Sequence, residues 1–569
     1  MNETRRAGAG IIALCLSGAV AALGGAFAQD SARDGELPAI LAPDAAATLP
    51  DFSYAGYGYG LRPVPTATGT VIDVADHGAA PDDGMDDSTA VLAAIEAANA
   101  VDGPVIVRFG PGRFVLSEIL RLQRSNFVLQ GAGRGEGGTE LHFPRPLEMV
   151  GDAGSLDELR AYLKKYDKRQ RERDRNIDIL FSEYSWSGGF VWVGKPGARP
   201  APYLERFDRK PRKLADVARG EAGSRTVVLR RPAQMSPGDR IEVRWYNREG
   251  ENGPLIDAIY GETDLKIGSH HWSFRARPLV TVKTTVEAVD GETLTLASPL
   301  LHDAGGTLPA EIVRDDPLTE VGIEGLAITF PDAIAFGHHL ERGYNGIYLT
   351  GAADAWVRDV TITNADAGIL TYDASNVTIR DVRTDGDRQA HYSVHMGNVH
   401  NVLAERIVVA NPALHSLSFN TGATKSVYKN AEVFAAPVFD QHAGANHQNL
   451  FDAPVMHVRA RTDEAGRFFY PLWDGSGAGY WQPGHGAYNT TWNARIVVEG
   501  GVPADQTVTL EGLAEGPSAR IVGLHGNRPF ELDYRPAPHV EMLNEAVRAA
   551  PSLYDHQLAR RRAGAVPAD

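Results

Sequence analysis

Seven of the 18 histidines fall between residues 388 and 457: His391, His395, His400, His415, His442, His447 and His457. Imidazole titrates near neutrality, so such a group can take and return protons at ordinary pH. Close titratable groups also perturb one another, which scattered surface histidines do not. Asp440 precedes His442 by two residues, where it can orient an imidazole or act as a carboxylate itself. We take His395, His415, Asp440 and His442 as candidate catalytic residues. Arg388, His391, Tyr372, Asn420, Asn446 and His447 are candidates for holding a substrate. His338 and His339 fall in a loop and are read as ordinary loop residues.

These residues need elements that bring distant positions together. From 320 to 458, short Val/Ile-rich stretches recur between Gly, Asn and Asp turns, with Leu326, Val360, Val382, Ile407, Ala431 and Val455 as equivalents. The last five are spaced 22, 25, 24 and 24 apart, which fits one solenoid coil of short parallel strands per repeat. The wider first gap is filled by a loop, Phe330 to Tyr344, carrying His338-His339. Taking Ile347/Leu349, Ile369/Thr371, Val394/Met396, Leu417/Phe419 and Phe439/Gln441 as inward leaves an outward column, because side chains alternate along a strand. That column is Tyr348, Leu370 and Tyr372, Ser393 and His395, Ser416 and Ser418, then Asp440 and His442. Asn376, Asn401 and Asn449 recur just before strands and suit turn positions with left-handed backbone.

The rest of the chain frames this region. Residues 1–28 read as a secretory signal: Arg5 and Arg6, an apolar Ile11 to Ala22, and Ala26-Phe27-Ala28 before Gln29. The sole cysteine, Cys15, lies inside it, so the mature chain is expected to lack disulfides and thiolate ligands. A linker is expected over 29–67, the start of the solenoid over 68–144, a β-rich insertion over 145–315, the coils with the site over 316–475, and C-terminal coils with a capping helix over 476–569. The insertion should begin with a charged helix, Leu156 to Arg173, and wall one side of a cleft. Trp473, Tyr480, Trp481 and Trp492 either offer flat stacking surfaces or fill the cap.

Residues 71–133 carry a resemblance. Asp76-His-Gly-Ala79, Asp83-Gly-Met-Asp-Asp-Ser88, an Ala-rich helix to about Ala100, Val107-Arg-Phe-Gly-Pro-Gly-Arg-Phe114 and Leu129-Gln-Gly-Ala-Gly133 resemble the N-terminal pattern of the pectate-lyase-like right-handed parallel β-helix superfamily. The Asp-rich turn is one residue shorter here, and Gly110 replaces a proline. The resemblance implies an all-β, right-handed parallel β-helix with an N-terminal capping helix, and carbohydrate as the prior substrate class of a secreted bacterial protein.

Charge and motifs narrow the function. The balance of 56 Lys+Arg against 72 Asp+Glu gives −16, which offers no global field for nucleic acid or an anionic membrane. No stretch after residue 28 is apolar enough to span a bilayer, so a secreted or periplasmic location is expected. The chain departs from the polygalacturonase-like hydrolases, since Asn420-Thr421 is followed by Gly422 and no Asp-Asp pair occurs in the coils. It also lacks the Asp-rich cluster of the calcium-dependent pectate lyases, so no cofactor is expected and calcium has no clear motif. No metal is expected either, because His391 and His395, four apart on a strand, lie about 13 Å apart. The inventory points to a polysaccharide lyase, since β-elimination at a uronic acid needs a base, a group to neutralise the carboxylate and an acid. The alternatives are a hydrolase or transferase pairing Asp440 with Asp373 or Asp452, and a glycan-binding helix without catalysis.

Overall fold

Short β-branched strands punctuated by left-handed turns wind the chain into a right-handed parallel β-helix. The computed structural model describes residues 35–564 except 43–44, 46–47, 152–155, 158, 162–183, 200–210, 262–263, 274, 336, 443 and 475–478. The expected signal segment 1–28 lies outside the described residues, and the expected helix 156–173 has only its first turn within them. Among the described residues, no helix is long and apolar enough to cross a membrane.

One eight-stranded parallel sheet carries the site. It runs Leu120–Leu122, Val191–Val193, Asn345–Thr350, Ala367–Tyr372, Ala390–Gly397, Ala413–Asn420, Phe439–His442 and Trp473–Asp474. Its membership corrects the expected insertion, because Val191-Trp-Val193, inside 145–315, pairs with Leu120 and Ile347 as a solenoid strand. A single strand has no repeat of its own to announce it. In the neighbouring sheet Leu326, Val360, Val382 and Ile407 stand in register as expected. Val455 does not: it pairs with Glu432, one residue away from Ala431.

The turns after the site strands form a ladder, Ala353–Ser375–His400–Thr424–His447. The next residue in each of these turns is left-handed: Asp354, Asn376, Asn401, Lys425 and Gln448. Asn376 and Asn401 fill the expected role, whereas at the last coil Gln448 takes the left-handed position. Asn449 instead donates from Nδ2 to Ala423 O and accepts from Ser426 N.

Inside the coils Phe419, Phe439 and Phe451 meet with ring centroids 4.6–4.7 Å apart, and Tyr428 stacks on Phe451. All four are 0–1% exposed. Phe451→Ala would leave a cavity between three rings and is expected to cost about 3–5 kcal/mol, read as a lowered midpoint in chemical denaturation.

The N-terminal end and one flank are covered. The N-terminal helix Ser88–Asn99 lays Val91, Ala94, Ile95 and Ala98 on the core. Residues 49–62 are not a free linker, because Phe52 and Ala55 are buried against Leu403, Val427, Leu450 and Trp492 of successive coils. The C-terminal helix, Leu553–Gly564, expected as a cap, instead lies along that same flank with Leu553, Tyr554 and Leu558. Trp473 and Trp492 are buried, so neither offers a sugar platform, while Tyr480 is 49% exposed.

Residues 213–314 form a closed six-stranded antiparallel barrel. It docks on the turns leaving the C-terminal ends of the site strands. Arg240 pairs with Asp354, Lys283 with Asp373 at 2.9 Å, and His302 Nε2 with His447 Nε2 at 2.9 Å. The helix Pro254–Tyr260 packs beside Ala445 in the same apolar cluster. At the opposite ends of the strands, the 331–344 loop closes over the sheet. Trp186 lies 5.2 Å from His339 and 5.3 Å from His391, ring to ring.

Candidate active site

Register alone builds the first part of the site. Tyr348, Leu370, His395, Ser418 and Asp440 are partners on successive strands, and Asn420 partners His442. The outward column is therefore as expected along these positions. Strict alternation then breaks at one row of small residues. A Cβ on Gly346 would lie 3.1 Å from Ile362, and one on Gly368 3.0 Å from Thr384, so this row faces the opposite sheet although Ile347 and Ile369 beside it also face the core. The next two coils fill the row with Ser393 and Ser416, whose hydroxyls donate to the carbonyls of Ser416 and Val438. Ser393 and Ser416 are thereby removed from the outward column. The row before it turns outward instead, which brings Tyr392 and His415, paired in register, onto the site face.

The result is a crowded aromatic and titratable patch. Ring centroids lie 4.7 Å apart for Tyr392–His395, 4.9 Å for Tyr392–His415, 5.0 Å for His391–His415 and 5.0 Å for His415–His442. At its centre Asp440 is 0% exposed. Its Oδ2 accepts from the Ser418 hydroxyl, and its Oδ1 lies 3.2 Å from His415 Nδ1 and 3.5 Å from His442 Nδ1. Burial would raise the Asp440 carboxyl, but the two imidazoles outweigh it and hold the group below the usual carboxylate range. Asp440 is thus an anion faced by the Nδ1 of each ring.

A second carboxylate–imidazole contact lies alongside. His391 Nδ1 shares a 2.7 Å hydrogen bond with Glu341 Oε1. Burial, with Asp366 adding to it, pushes Glu341 up to about 7, while burial and the neighbouring imidazoles push His391 well down. His338 stands over both, with its ring 4.9 Å from His391 and 6.3 Å from His415. Next to it, a cavity of about 200 Å³ is lined by His338, Glu341, Tyr344, Asp366 and Arg388 among others.

The ten candidates separate by place. His415, Asp440, His442, His391 and Asn420 share one patch, with Asn420 donating to the Tyr392 hydroxyl at 3.1 Å. His395 is beside them but sealed at 2% exposure, its ring nitrogens have no hydrogen-bond partner among the described residues, and burial pushes it down to about 4. Arg388 lines the cavity, donating to Asp366 Oδ1 and Pro331 O. Tyr372 is three coils from His442 along the column formed with Gly397 and Asn420, about 14 Å.

Two candidates lie elsewhere. His447 is buried at the barrel interface, stacked on His302. Asn446 is fully buried, donating to Gly484 O and accepting from Asn489. Neither can reach a ligand on the site face. Asp373 and Asp452, considered as second carboxylates, are also taken. Asp373 is paired with Lys283, and Asp452 accepts from Ser552 Oγ, Leu553 N and Tyr554 N at the start of the C-terminal helix.

Sequence reading passed over His338, His339, Glu341 and Tyr392. The first three come from the 331–344 loop, whose only signal was the widened gap between coils and its paired histidines. The expectation of no metal rested on spacing along one strand, and that ground does not hold across coils. The candidate ligand atoms of His338, His391 and His415 lie within 4.8 Å of one another, as do those of His415, Asp440 and His442.

No protein-family model matches the chain, and a search of curated protein sequences finds no match. Among solved structures it is similar to the tailspike gp61 of Pseudomonas phage phi297, at 12% identity and a TM-score of 0.44 over 83% of this chain and 76% of that one. The tailspike gp49 of Pseudomonas phage LKA1 gives 14% and 0.44 over 83% and 78%. The A-module of the mannuronan C-5 epimerase AlgE6 of Azotobacter vinelandii gives 12% and 0.31 over 83% and 77%. By its own strand register and connections, the chain is a right-handed parallel β-helix protein with an inserted β-barrel and a histidine-rich face.

Proposed function

We propose that this protein cleaves a uronic-acid-containing polysaccharide by β-elimination. The observation that carries the reading is the buried Asp440 anion with an imidazole on either side, on a sheet face that runs across successive coils. His442 is the base. It is the more exposed of the two rings, at 24% against 11% for the His415 side chain. Its Nδ1 is turned to Asp440, and Nε2 is the nitrogen assigned to take the C5 proton of the sugar. The electrons of that C–H bond form the new C4–C5 double bond as the C4–O bond breaks. The imidazolium returns the proton to the leaving oxygen, and an unsaturated non-reducing end results. The uronate carboxylate is placed against the His338–His391–His415 group, and Tyr372, about 14 Å away along the column, contacts a neighbouring sugar.

Hydrolysis is the less supported reading, since it needs two carboxyl groups flanking the bond and both Asp373 and Asp452 are occupied. One feature favours it: Glu341, raised to about 7, has the protonation of a general acid. A panel of uronic-acid polysaccharides separates the two. Elimination gives a rise in ultraviolet absorbance from the conjugated unsaturated uronate, lost by about 10²–10⁴-fold in His442→Ala. New reducing ends without that absorbance would select hydrolysis and move the acid to Glu341.

A further inference from the structure

We propose that His338, His391 and His415 bind one divalent transition metal ion of the zinc class, with Glu341 and Asp440 orienting two of the three rings from behind. The three ligand atoms already lie within 4.8 Å of one another, and each comes from a different element: the 331–344 loop, the Ala390–Gly397 strand and the Ala413–Asn420 strand. The rings are prepared for it. Metal-binding imidazoles characteristically turn their second nitrogen to a carboxylate, which fixes the tautomer and aims the other nitrogen at the ion. His391 Nδ1 meets Glu341 at 2.7 Å and His415 Nδ1 faces Asp440 at 3.2 Å, which assigns ligation to Nε2 on both. Two carboxylate-backed histidines side by side, with side chains 2% and 11% exposed, are a costly arrangement for packing alone.

A tetrahedral zinc with nitrogen ligands at 2.0–2.1 Å sets them about 3.3 Å apart, so closure needs up to about 1.5 Å of movement. His338, exposed and on a loop, can supply it. Three imidazoles suit zinc, copper, nickel or iron, and not the all-oxygen preference of calcium. The overlapping group His415, Asp440 and His442 is the weaker site, because Ser418 already holds Asp440 Oδ2. Three protein ligands leave a fourth position open, the arrangement of catalytic zinc. This next step rests on the elimination reading. A uronate carboxylate on that open position would have its charge neutralised beside His442, whose ring is 5.0 Å from His415.

The test uses the full chain, stripped with a chelator and titrated with Co²⁺ and Zn²⁺. We expect one equivalent per chain by elemental analysis and a visible d–d spectrum for Co²⁺. His338→Ala and His391→Ala should each weaken binding at least 100-fold, and Glu341→Gln by 10–100-fold. His442→Ala should keep the metal, which separates the two overlapping groups. His338 is an exposed loop residue, so its variant tests the site even if the buried His391→Ala misfolds. No stoichiometric binding, or undiminished binding in His338→Ala, overturns the proposal. Unsaturated product formed at full rate by the stripped protein overturns the role in neutralising the carboxylate while leaving elimination standing. A metal bound in the expected way, with no unsaturated product from any uronate, leaves the site standing and removes the elimination reading.

Discussion

Replacing Asp440 by asparagine is expected to lower kcat by on the order of 10³-fold with little change in KM. The substitution keeps the shape of a side chain that is 0% exposed, so the fold and the outer contour of the face should survive. What changes is the proton pattern. Asparagine can still accept from the Ser418 hydroxyl, but it then presents an NH₂ group where Oδ1 now faces His415 Nδ1 and His442 Nδ1. Each ring must then accept at Nδ1 and carry its own proton on Nε2. That removes the lone pair with which His442 would take the C5 proton, and the one with which His415 would hold a metal. Metal affinity should therefore fall 10–100-fold in the same variant, and kcat must be compared at saturating metal. Because Asp440 acts through His442, the double variant Asp440→Asn/His442→Ala should be no slower than the worse single variant. Additive losses would mean that the two residues work independently. A change confined to KM would mean that Asp440 contacts the sugar.

How much of this centre could be read from residue order follows from how each residue is placed. A solenoid writes its core once per coil, so Val360, Val382 and Ile407 align from sequence and pair in the structure. Val455 falls out of line because Pro454 occupies the position equivalent to Ala431, and the next residue is the apolar one. His395, Ser418 and Asp440 were legible as one column because parallel register transmits position from strand to strand. His415 was not legible that way: alternation alone would turn it inward, and the row of Gly346, Gly368, Ser393 and Ser416 that reverses it is recognisable only from close backbone approach. Glu341 and His338 arrive from a loop, and nothing in their spacing says which coil they will cover. His447 was misassigned for the converse reason. It sits in a turn ladder among other histidines, and only the docked barrel, with His302 at 2.9 Å, shows that it faces protein.

That docking rests on a buried charge, and Lys283→Met is expected to destabilise the protein by about 3–5 kcal/mol, the cost of leaving buried ions without their partner. The Lys283 side chain is 5% exposed and lies 2.5 Å from Glu242, 3.3 Å from Asp315 and 2.9 Å from Asp373. Glu242 also has Arg244, and Asp373 is 43% exposed, so Asp315 has the least compensation once the ammonium is gone. Burial already raises Asp315 to about 6 against the pull of Lys283, and without Lys283 it must rise further. The pH dependence follows from that direction. An acid whose folded pKa exceeds its unfolded value binds more protons in the folded state, so acidification favours folding between the two values. The deficit of Lys283→Met should therefore be largest near pH 8 and shrink toward pH 5 as Asp315 is neutralised. Thermal melts of both proteins across that range measure it. A deficit that grows on acidification would mean that the carboxylates are solvated in the folded state and that the barrel is held by its apolar contacts, Ile259 and Ala445 among them, without help from the charge.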